Sequence, residues 1–586
     1  CAVFASMLAL TLSAASEAQV VNIAEVVVAN ELDIDSVPDN RATHPDEDDT
    51  DEVSFNPLGF RVEKDLVGAG IDEITDLQQL DIQIRLHNLG SILLEGLALE
   101  EDLATILGQE SAQQTAFQVI VPGSLSLVTA PANDGVSQIN LNPGFDGRDD
   151  TNILLSSSVL NAGASAVVGF SALVNTDVPY LASPYLNQAT GSGRADHDDS
   201  GTATLVLVDP SDNNFDNDST NGPFDDGDGD PTNDPTPLPA IQLEKHLVSV
   251  EYPYDTNNDP SDNEMRLVFD FDVENTGSLP LYRVALSDAL LAQTMVESIV
   301  AIEVLNVDAT NAATWTADSI DGDFVEVGSL EPFVEAGGAD EGVADLAPGE
   351  NVLVTLAIDV LLTPEFDQDF ENTAQTQANV DIDETGLPVP LTHIVWDDSD
   401  SDGSLSTDSD DDGDPGNDPL PLPLIATTKL ADGEGVESVG QNQYRVTFEH
   451  EIHNLGSVDL VNVSFFDDFG AQNAQIDSID SVTVSPIVYM AADPMRQIFT
   501  ATTLDDDFMT DAGPAETEFT GGVASLAPGD SISFDVTVDF TTVANLDDFV
   551  FINSAIASGY GFYPGRPVND DTKVSDQSGA TIQENG

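Results

Sequence analysis

Basic residues are scarce in this chain. The 586 residues include 14 Lys and Arg against 107 Asp and Glu, which gives a formal charge of -93 at pH 7. So large an excess of negative charge disfavours binding to DNA, RNA or an anionic membrane, because their phosphate groups would be repelled. A metal cation or a basic protein surface suits it better. The hydrophobic fraction of 41% is ordinary for folded domains, so the acidic residues are added to a chain that can bury a core.

Cysteine and long apolar runs are also nearly absent. The single cysteine, Cys1, excludes an intramolecular disulfide and a cysteine-based zinc site. The run "AVFASMLALTLSAA" is followed by a small-residue cleavage site at Ala18, so residues 1–18 are predicted to be a truncated signal peptide. A strand of an earlier domain is the alternative. No later stretch approaches the ~20 apolar residues that a membrane helix needs, and a secreted, cell-surface protein is expected.

Catalytic signatures are missing. The sequence contains no Gly-rich phosphate loop, no nucleophile elbow and no Cys/His arrangement, each of which has a recognisable spacing. Its two Trp residues are too few to mark a sugar-binding platform. An enzyme is therefore not expected from these residues.

Three stretches of the chain open alike, with "PLGFRVEKDLV" (57–67), "PLPAIQLEKHLV" (237–248) and "PLPLIATTKLA" (421–431). Each is followed by a strand-like alternation of apolar and polar residues that ends in Asn-x-Gly, which predicts a turn because Asn and Gly tolerate a positive φ. Equivalent points recur about 180 residues apart, the mark of tandem repeats. The predicted domains are 57–236 and 237–420, each a β-sandwich with an acidic linker, and 421–586, a third β-sandwich.

Each unit is predicted to be an antiparallel β-sandwich of the all-β class, because short Val-, Ile-, Thr- and Phe-rich runs are punctuated by Pro and Gly and helical signals are nearly absent. A Pro-Gly turn in "LAPG" feeds a late strand in the second and third units. Three of the four lysines, Lys64, Lys245 and Lys429, occupy the same place in the first strand. They are expected either to pair with an acid inside the sandwich or to protect a sheet edge.

Residues 19–56 are similar to the closing strand and acidic tail of the same unit, without a unit before them. They are predicted to hold an orphan strand. Such a strand could add to a sheet in a neighbouring copy of the chain, pair within the first domain, or be the stub of a missing domain.

Lys in the first strand, Asn-x-Gly, an Asp after the second strand (Asp288, Asp467), "LAPG" and a late Asn-x-Ala together resemble the conserved-repeat domain of bacterial surface proteins. The resemblance covers nearly the whole chain from residue 20. It implies immunoglobulin-like sandwiches in an extracellular stalk or adhesin and no particular chemistry. The first domain departs most, with "EED" (100–102) where the Asp is expected.

The acidic segments between the domains contain aspartates at alternate positions followed by glycine, as in Asp398-x-Asp400-x-Asp402-Gly403. Ca²⁺ takes six to eight oxygen ligands, and alternate residues of a tight loop turn their carboxylates inward. The segments resemble the aspartate-rich calcium loops of extracellular repeats, such as the type-three repeats of thrombospondins. A solvated, self-repelling linker is the alternative. The predicted Ca²⁺ ligands are Asp196, Asp198, Asp216, Asp218, Asp226, Asp228, Asp230, Asp398, Asp400, Asp402, Asp408, Asp410, Asp412 and Asp414.

The sequence thus predicts a secreted stalk, adhesin or filament subunit stiffened by calcium ions. Its partners would be calcium, copies of itself that join by strand addition, or other surface proteins. Two alternatives remain open. The domains could be spacers of a larger secreted enzyme or carbohydrate-binding protein, or the charge could be an adaptation to high salt without specific calcium sites.

Overall fold

The computed structural model describes most of the chain from Pro57 to Ser578, together with two short segments before it. The described residues are 20–25, 50–55, 57–72, 74–75, 77–107, 117–175, 186–197, 201–213, 235–254, 263–310, 315, 323–325, 331–332, 345–363, 370–382, 393–399, 419–432, 435–505, 517–544, 551 and 553–578. The predicted signal peptide lies outside them.

The segment before the first domain contains a two-stranded antiparallel sheet. The strand predicted to be an orphan, β1 (Val20–Glu25), pairs with β2 (Thr50–Phe55), so that Val20 lies opposite Phe55. Both strands come from the acidic segment that precedes the first sandwich.

The first sandwich has one sheet in the order β13-β3-β4-β9-β6, with β7 also paired to β9, and a second in the order β12-β11-β5-β8. A short sheet joins β10 to β14. The elements are β3 (Phe60–Ile71), β4 (Gln78–Asn88), β5 (Leu94–Glu100), α1 (Leu103–Ile106), β6 (Phe117–Ile120), β7 (Ser126–Thr129), β8 (Val159–Leu160), β9 (Ser165–Val174), β10 (Leu186–Asn187), β11 (Thr190–Ala195), β12 (Leu205–Pro210), β13 (Asp212–Asn213) and β14 (Thr236–Pro237).

The second sandwich has sheets in the orders β15-β16-β20-β18 and β19-β17-β22-β23. Its strands are β15 (Gln242–Glu251), β16 (Glu264–Glu274), β17 (Leu281–Asp288), β18 (Val296–Ala309), β19 (Glu331–Pro332), β20 (Asn351–Leu362), β21 (Glu371–Asn372), β22 (Ala374–Val380) and β23 (Ile394–Asp398), with 3-10 helices at Ala289–Ala292 and Asp323–Val325.

The third sandwich has sheets in the orders β25-β27-β33-β29, with β26 and β30 added, and β31-β32-β28-β34-β35. A short sheet pairs β21 with β24. The elements are β24 (Leu420–Pro421), β25 (Ile425–Ala431), β26 (Glu437–Gly440), β27 (Gln443–Asn454), β28 (Leu460–Asp467), α2 (Phe469–Gln472), β29 (Ile476–Val484), β30 (Val488–Met490), β31 (Thr503–Leu504), β32 (Thr517–Thr520), β33 (Ser531–Thr542), β34 (Ala555–Gly561) and β35 (Lys573–Gln577), with a 3-10 helix at Asp570–Thr572.

The fold is therefore all-β, with tandem immunoglobulin-like antiparallel β-sandwiches joined by acidic segments. Side chains alternate along the strands between the space shared by two sheets and the solvent. In β16 the inward residues Leu267, Phe269, Phe271 and Val273 are fully buried. This period-two alternation is the signal from which the sequence predicted strands.

The described chain forms two compact units. The first sandwich belongs to a unit that ends at Pro239 and takes in Gly277–Leu279, whereas the second and third sandwiches share the other unit. The finer domain boundaries 57–236, 237–420 and 421–586 stay a prediction. Among the described residues, no helix has both the length and the apolar character that crossing a membrane requires.

Neither the Asn nor the Gly of the three Asn-x-Gly sequences has a positive φ in the structure. The turn predicted there on the basis of a positive φ is therefore wrong in its reason. Asn454 is buried, and its Nδ2 donates to the carbonyls of Val458 and Leu526 at 2.9 Å each. Gly456 is needed for close approach, because a Cβ there would lie 2.4 Å from the Leu422 oxygen. The side chain of Asn and the small volume of Gly, and not a left-handed backbone, fix this crossing.

We expect Gly456→Ala to destabilise the third sandwich, because the added methyl would meet backbone atoms that cannot rotate away. Forcing extra volume into a packed site costs about 1–3 kcal/mol. Calorimetric unfolding of the full chain measures the change. Gly470→Ala is the matched control, since a Cβ at Gly470 would lie 3.6 Å from Ile479 Cγ1, which is ordinary van der Waals contact. Equal unfolding temperatures for the two variants would contradict the close-approach explanation.

Candidate functional site

A buried ion pair joins the two sheets of each sandwich. The lysine of the first strand points into the core and contacts an acid at the end of a strand in the opposite sheet, with Nζ to carboxylate oxygen distances of 2.5–2.7 Å. Of the two explanations that the sequence left open for these lysines, pairing with an acid inside the sandwich is therefore correct, and protection of a sheet edge is not. In the first domain the glutamate of "EED" takes the place of the aspartate. The pairs are Lys64–Glu101, Lys245–Asp288 and Lys429–Asp467.

All three ammonium groups are buried, and those of Lys245 and Lys429 also lie against aromatic rings. Lys64 and Lys245 have no exposed surface, and Lys245 Nζ lies 4.4 Å from the centroid of the Phe269 ring. Burial lowers the pKa of all three lysines, and the facing acid offsets this only in part. For Lys429 the pKa falls to about 8, while burial raises the pKa of Asp467. Transfer of a proton from the amine to the acid is thus easier here than in water.

An asparagine from the late Asn-x-Ala sequence lies beside each acid. In the third sandwich, Asn553 Nδ2 donates to Asp467 Oδ2 at 3.4 Å. In the second, Asp288 lies opposite Ala374 in the ladder, and Asn372 precedes Ala374 by two residues. In the first, Thr190 lies opposite Glu100, which gives Asn187 the same offset from the acid. Each sandwich therefore assembles Lys, acid and Asn from three strands.

A second set of contacts holds the first strand two residues before each lysine. An aspartate of the closing strand accepts a hydrogen bond from the backbone N–H of Val62, Leu243 or Thr427 at 2.6–2.7 Å. Two residues after that aspartate, the Oγ of a buried serine accepts a hydrogen bond from the backbone N–H of the alanine in the Asn-x-Ala sequence, at 2.9 Å in each sandwich. The sequence-based prediction missed this Asp-x-Ser pattern, whose signal was present in aligned "DPS", "DDS" and "DQS". The residues are Asp209 and Ser211, Asp397 and Ser399, and Asp576 and Ser578.

Two of the predicted calcium ligands lie in the described chain, and they lie apart from each other. Asp398 ends β23, where Gln375 Nε2 donates to its Oδ1 at 3.1 Å, and Asp196 Oδ2 accepts from the N–H of Gly201 at 2.7 Å. No group of three His, Cys, Asp or Glu suited to a metal ion occurs among the described residues. Outside them lie Asp198, Asp216, Asp218, Asp226, Asp228, Asp230, Asp400, Asp402, Asp408, Asp410, Asp412 and Asp414.

The second and third sandwiches touch directly. The Arg566 guanidinium donates to the carbonyls of Leu247 and Val248, and the N–H of Ser575 donates to the Tyr252 carbonyl at 2.9 Å. These bonds run between β15 of the second sandwich and the last strand region of the third. The contact needs no metal ion.

No protein-family model matches the chain, and no curated protein matches it. Among solved structures, it is similar to the C-terminal domain of the antigen I/II-family protein AspA from Streptococcus pyogenes, with 13% identity and a TM-score of 0.26 over 58% of this chain and 99% of that one. It is also similar to the full-length major pilin SpaD from Corynebacterium diphtheriae, with 9% identity and a TM-score of 0.21 over 90% of this chain and 92% of that one. It is also similar to the CupB6 tip adhesin from Pseudomonas aeruginosa, with 11% identity and a TM-score of 0.15 over 58% of this chain and 98% of that one.

The stability of the third sandwich should depend on the titration of Asp576. Burial raises the pKa of this carboxyl to about 7, against about 4 for an unfolded aspartate. The folded chain therefore keeps a proton that the unfolded chain releases between about pH 4 and 7, and stability falls as the pH rises through that window. Asp576→Asn removes this loss of stability. We therefore expect the free energy of unfolding of the variant to equal that of the wild type near pH 4 and to exceed it at pH 8 by up to about 4 kcal/mol.

Calorimetric unfolding of the full chain across this pH range measures the difference. Asp535→Asn, at an exposed position of β33, is the matched control for the loss of one negative charge. A constant difference between Asp576→Asn and the wild type at every pH would contradict the assignment.

Proposed function

We propose that this protein is an extracellular structural protein of a bacterial surface, a stalk, adhesin or filament subunit. The observation that carries the proposal is the repetition of one inter-sheet arrangement, Lys with acid, Asn and Asp-x-Ser, in three consecutive sandwiches. Equivalent units with equivalent interiors suit a protein whose task is to hold its shape under load. A diversified set of sites would suit catalysis better.

The proposal is for a protein without enzymatic activity of its own on external substrates. A cleft of about 420 Å³ in the first sandwich is lined by Val119, Ile120, Leu141, Phe145 and neighbouring residues, with Asp146 as its single ionisable lining group. General acid–base chemistry needs a positioned pair of such groups or one with a strongly shifted pKa next to a substrate. The residues that line this cleft do not supply such a pair.

The acidic segments are proposed to bind Ca²⁺ as loops whose two ends are held on one sandwich. The first segment starts after β13, which pairs with β3, and returns at β14, which pairs with β10. The second starts after β23, paired with β22, and returns at β24, paired with β21. Ions bound between such anchors would neutralise carboxylates that otherwise repel each other. Calcium would then stiffen a closed loop beside the buried asparagine, since Asn187 and Asn372 lie in the anchoring strands.

Adaptation to high salt is the second candidate for the charge. Aspartates such as Asp477, Asp480 and Asp535 lie exposed on the sheet surfaces of the third sandwich and do not belong to a sequence with alternating aspartates followed by glycine. A dense surface charge of this kind favours solubility without specific sites. Both effects can operate in the same chain.

Calcium titration against a fixed sodium background separates the two candidates. We expect saturable binding with dissociation constants of about 10⁻⁴ to 10⁻³ M, the range of extracellular modules. Replacing Asp408, Asp410 and Asp412 by Asn should remove the binding at the second of the two aspartate loops in the second segment and leave the loop of Asp398, Asp400 and Asp402. Replacing Asp477, Asp480 and Asp535 by Asn removes equal charge from the sheet surface and should leave the binding intact. Absence of saturable binding in the wild type would leave only the salt explanation.

The mechanical part of the proposal is tested by small-angle scattering with calcium and with chelator. We expect the far-UV circular dichroism to stay constant while the radius of gyration rises on chelation, because the loops expand and the sandwiches stay folded. Arg566→Ala, which loosens the direct contact between the second and third sandwiches, controls for changes that do not involve ions. Scattering curves that coincide with and without calcium would count against calcium stiffening.

Self-association by strand addition is a further part of the proposal. An extended segment can add to the edge of a sheet through main-chain hydrogen bonds. Since β1 is already paired with β2, its donation to a neighbouring copy would require that this pair first separate. Association of this kind is therefore expected to be slow.

A further inference from the structure

The buried asparagines beside the lysine–acid pairs lack the hydrogen bonds that such residues normally make. Asn187 and Asn372 are completely buried, and within the described chain neither the Nδ2 nor the Oδ1 atom of either residue has a hydrogen-bond partner. In the third sandwich, Asn553 Oδ1 is also buried without a partner. Buried carboxamides are almost always satisfied, because leaving them unpaired is costly. Among the described residues, the Oδ1 atom of this asparagine is thus unpaired beside the acid in all three sandwiches, and Nδ2 is unpaired in the first two, which calls for a chemical explanation.

We propose that the carboxamide of each asparagine is the electrophile of an intramolecular amide bond to the neighbouring buried lysine, formed by the chain itself with the acid as catalyst. The bonds would join Lys64 to Asn187, Lys245 to Asn372 and Lys429 to Asn553. The catalytic residues would be Glu101, Asp288 and Asp467, each of which contacts the reacting lysine nitrogen.

The third sandwich shows the reacting groups together. Asp467 Oδ2 lies 2.5 Å from Lys429 Nζ and 3.4 Å from Asn553 Nδ2, so the amine and the carboxamide contact the same oxygen. Bond formation from this arrangement needs a small approach of two side chains that one carboxyl group already holds. Such positioning is a large part of what enzymes provide for reactions between two groups.

The other two sandwiches reproduce the arrangement through strand register. Asp288 lies opposite Ala374, the first residue of β22, and Asn372 ends β21 two residues earlier. Residues two apart in an extended chain share a face, and both Asn372 and Ala374 are buried. Asn372 therefore lies on the face of the strand that carries Ala374, next to the acid. The N–H of Ala289 donates to the Thr373 carbonyl at 3.1 Å, which fixes the strand at this point. The same offset relates Glu101 to Asn187.

The reaction balances without any co-reactant. A proton passes from the lysine ammonium to the carboxylate, and the neutral Nζ attacks the asparagine Cγ while the protonated acid polarises Oδ1. The tetrahedral intermediate then collapses, the Cγ–Nδ2 bond breaks, and Nδ2 leaves as ammonia after taking up the second proton that Nζ loses. One C–N bond forms and one breaks, nothing is oxidised or reduced, and the acid keeps the first proton and faces the new amide as a neutral carboxyl group.

The surroundings of the lysines favour this step over its competitors. The lowered pKa of the three lysines makes the neutral, nucleophilic amine more accessible. Asn187 and Asn372 are completely buried, and aromatic rings lie against Lys245 and Lys429, so water that could hydrolyse the carboxamide has little access. The product removes a buried positive charge and turns the unpaired carboxamide into an amide that faces the carboxyl group.

The decisive measurement is the mass of the purified full chain in denaturant, with its two ends read from terminal peptides. We expect a mass lower than that of the sequence between those ends by three molecules of ammonia. Digestion with a protease that cleaves at acidic residues should yield branched peptides that join Lys245 to Asn372, and likewise at the other two sites. This readout does not depend on calcium or on the proposed surface function.

Variants assign the chemistry to residues. Asn372→Ala removes one electrophile, and Asp288→Asn removes one acid while keeping its shape. Each should reduce the deficit to two ammonia molecules. Asn351→Ala, a partly exposed position on β20, is the matched control and should leave three.

A wild-type mass equal to the calculated value, with Lys245 and Asn372 recovered in separate linear peptides, would overturn the proposal however the variants fold. Loss of ammonia without a branched peptide would identify cyclisation of asparagine and would overturn it as well. A branched peptide at one site and none at another would establish the reaction at the first and refute it at the second.

Discussion

The lysine buried between two sheets is the interaction on which the rest of each sandwich depends. The chain has 14 basic residues for 107 acidic ones, and it places three of its lysines in core positions with almost no exposed surface. Burying an ammonium group is costly unless an acid faces it with good geometry. A slip of the first strand by one residue would turn that lysine to the other face of the sheet. The ion pair thus fixes which register of the first strand is compatible with the opposite sheet, and the Asp-x-Ser contacts hold the same strand two residues earlier.

The sequence predicted the class of fold and the repeating elements well, because alternation of period two and recurring Pro, Gly and Asn are local signals. It marked Lys245 and the Asn372-x-Ala374 sequence as recurrent features of the unit. It could not decide what Lys245 contacts, since the partner comes from the other sheet and no local pattern encodes that distance. The positive-φ explanation of the Asn-x-Gly sequences was wrong for the same reason, because the close approach of Gly456 to Leu422 is a tertiary contact that no local pattern encodes.

The acidic residues of this protein fall into two groups that composition alone cannot separate. Asp397 is buried and accepts the N–H of Leu243, whereas its neighbour Asp398 lies at the beginning of the segment predicted to bind calcium. In the sequence both belong to one run of aspartates. The hydrogen bond to the first strand identifies Asp397 as a structural residue of the sandwich, whereas Asp398 begins the acidic segment. This is why the closing Asp-x-Ser pattern was missed, while the calcium loops stay a prediction.

The anchoring of each acidic segment at both ends also decides how tension would travel through the chain. A pull transmitted between successive sandwiches would pass through the few residues between β14 and β15, or between β24 and β25, and the aspartate-rich excursion would carry none of it. Lengthening such an excursion costs only about 0.6 kcal/mol for each doubling of its length. The number of aspartates could therefore change freely, by insertion or deletion, without altering the contour length between neighbouring sandwiches.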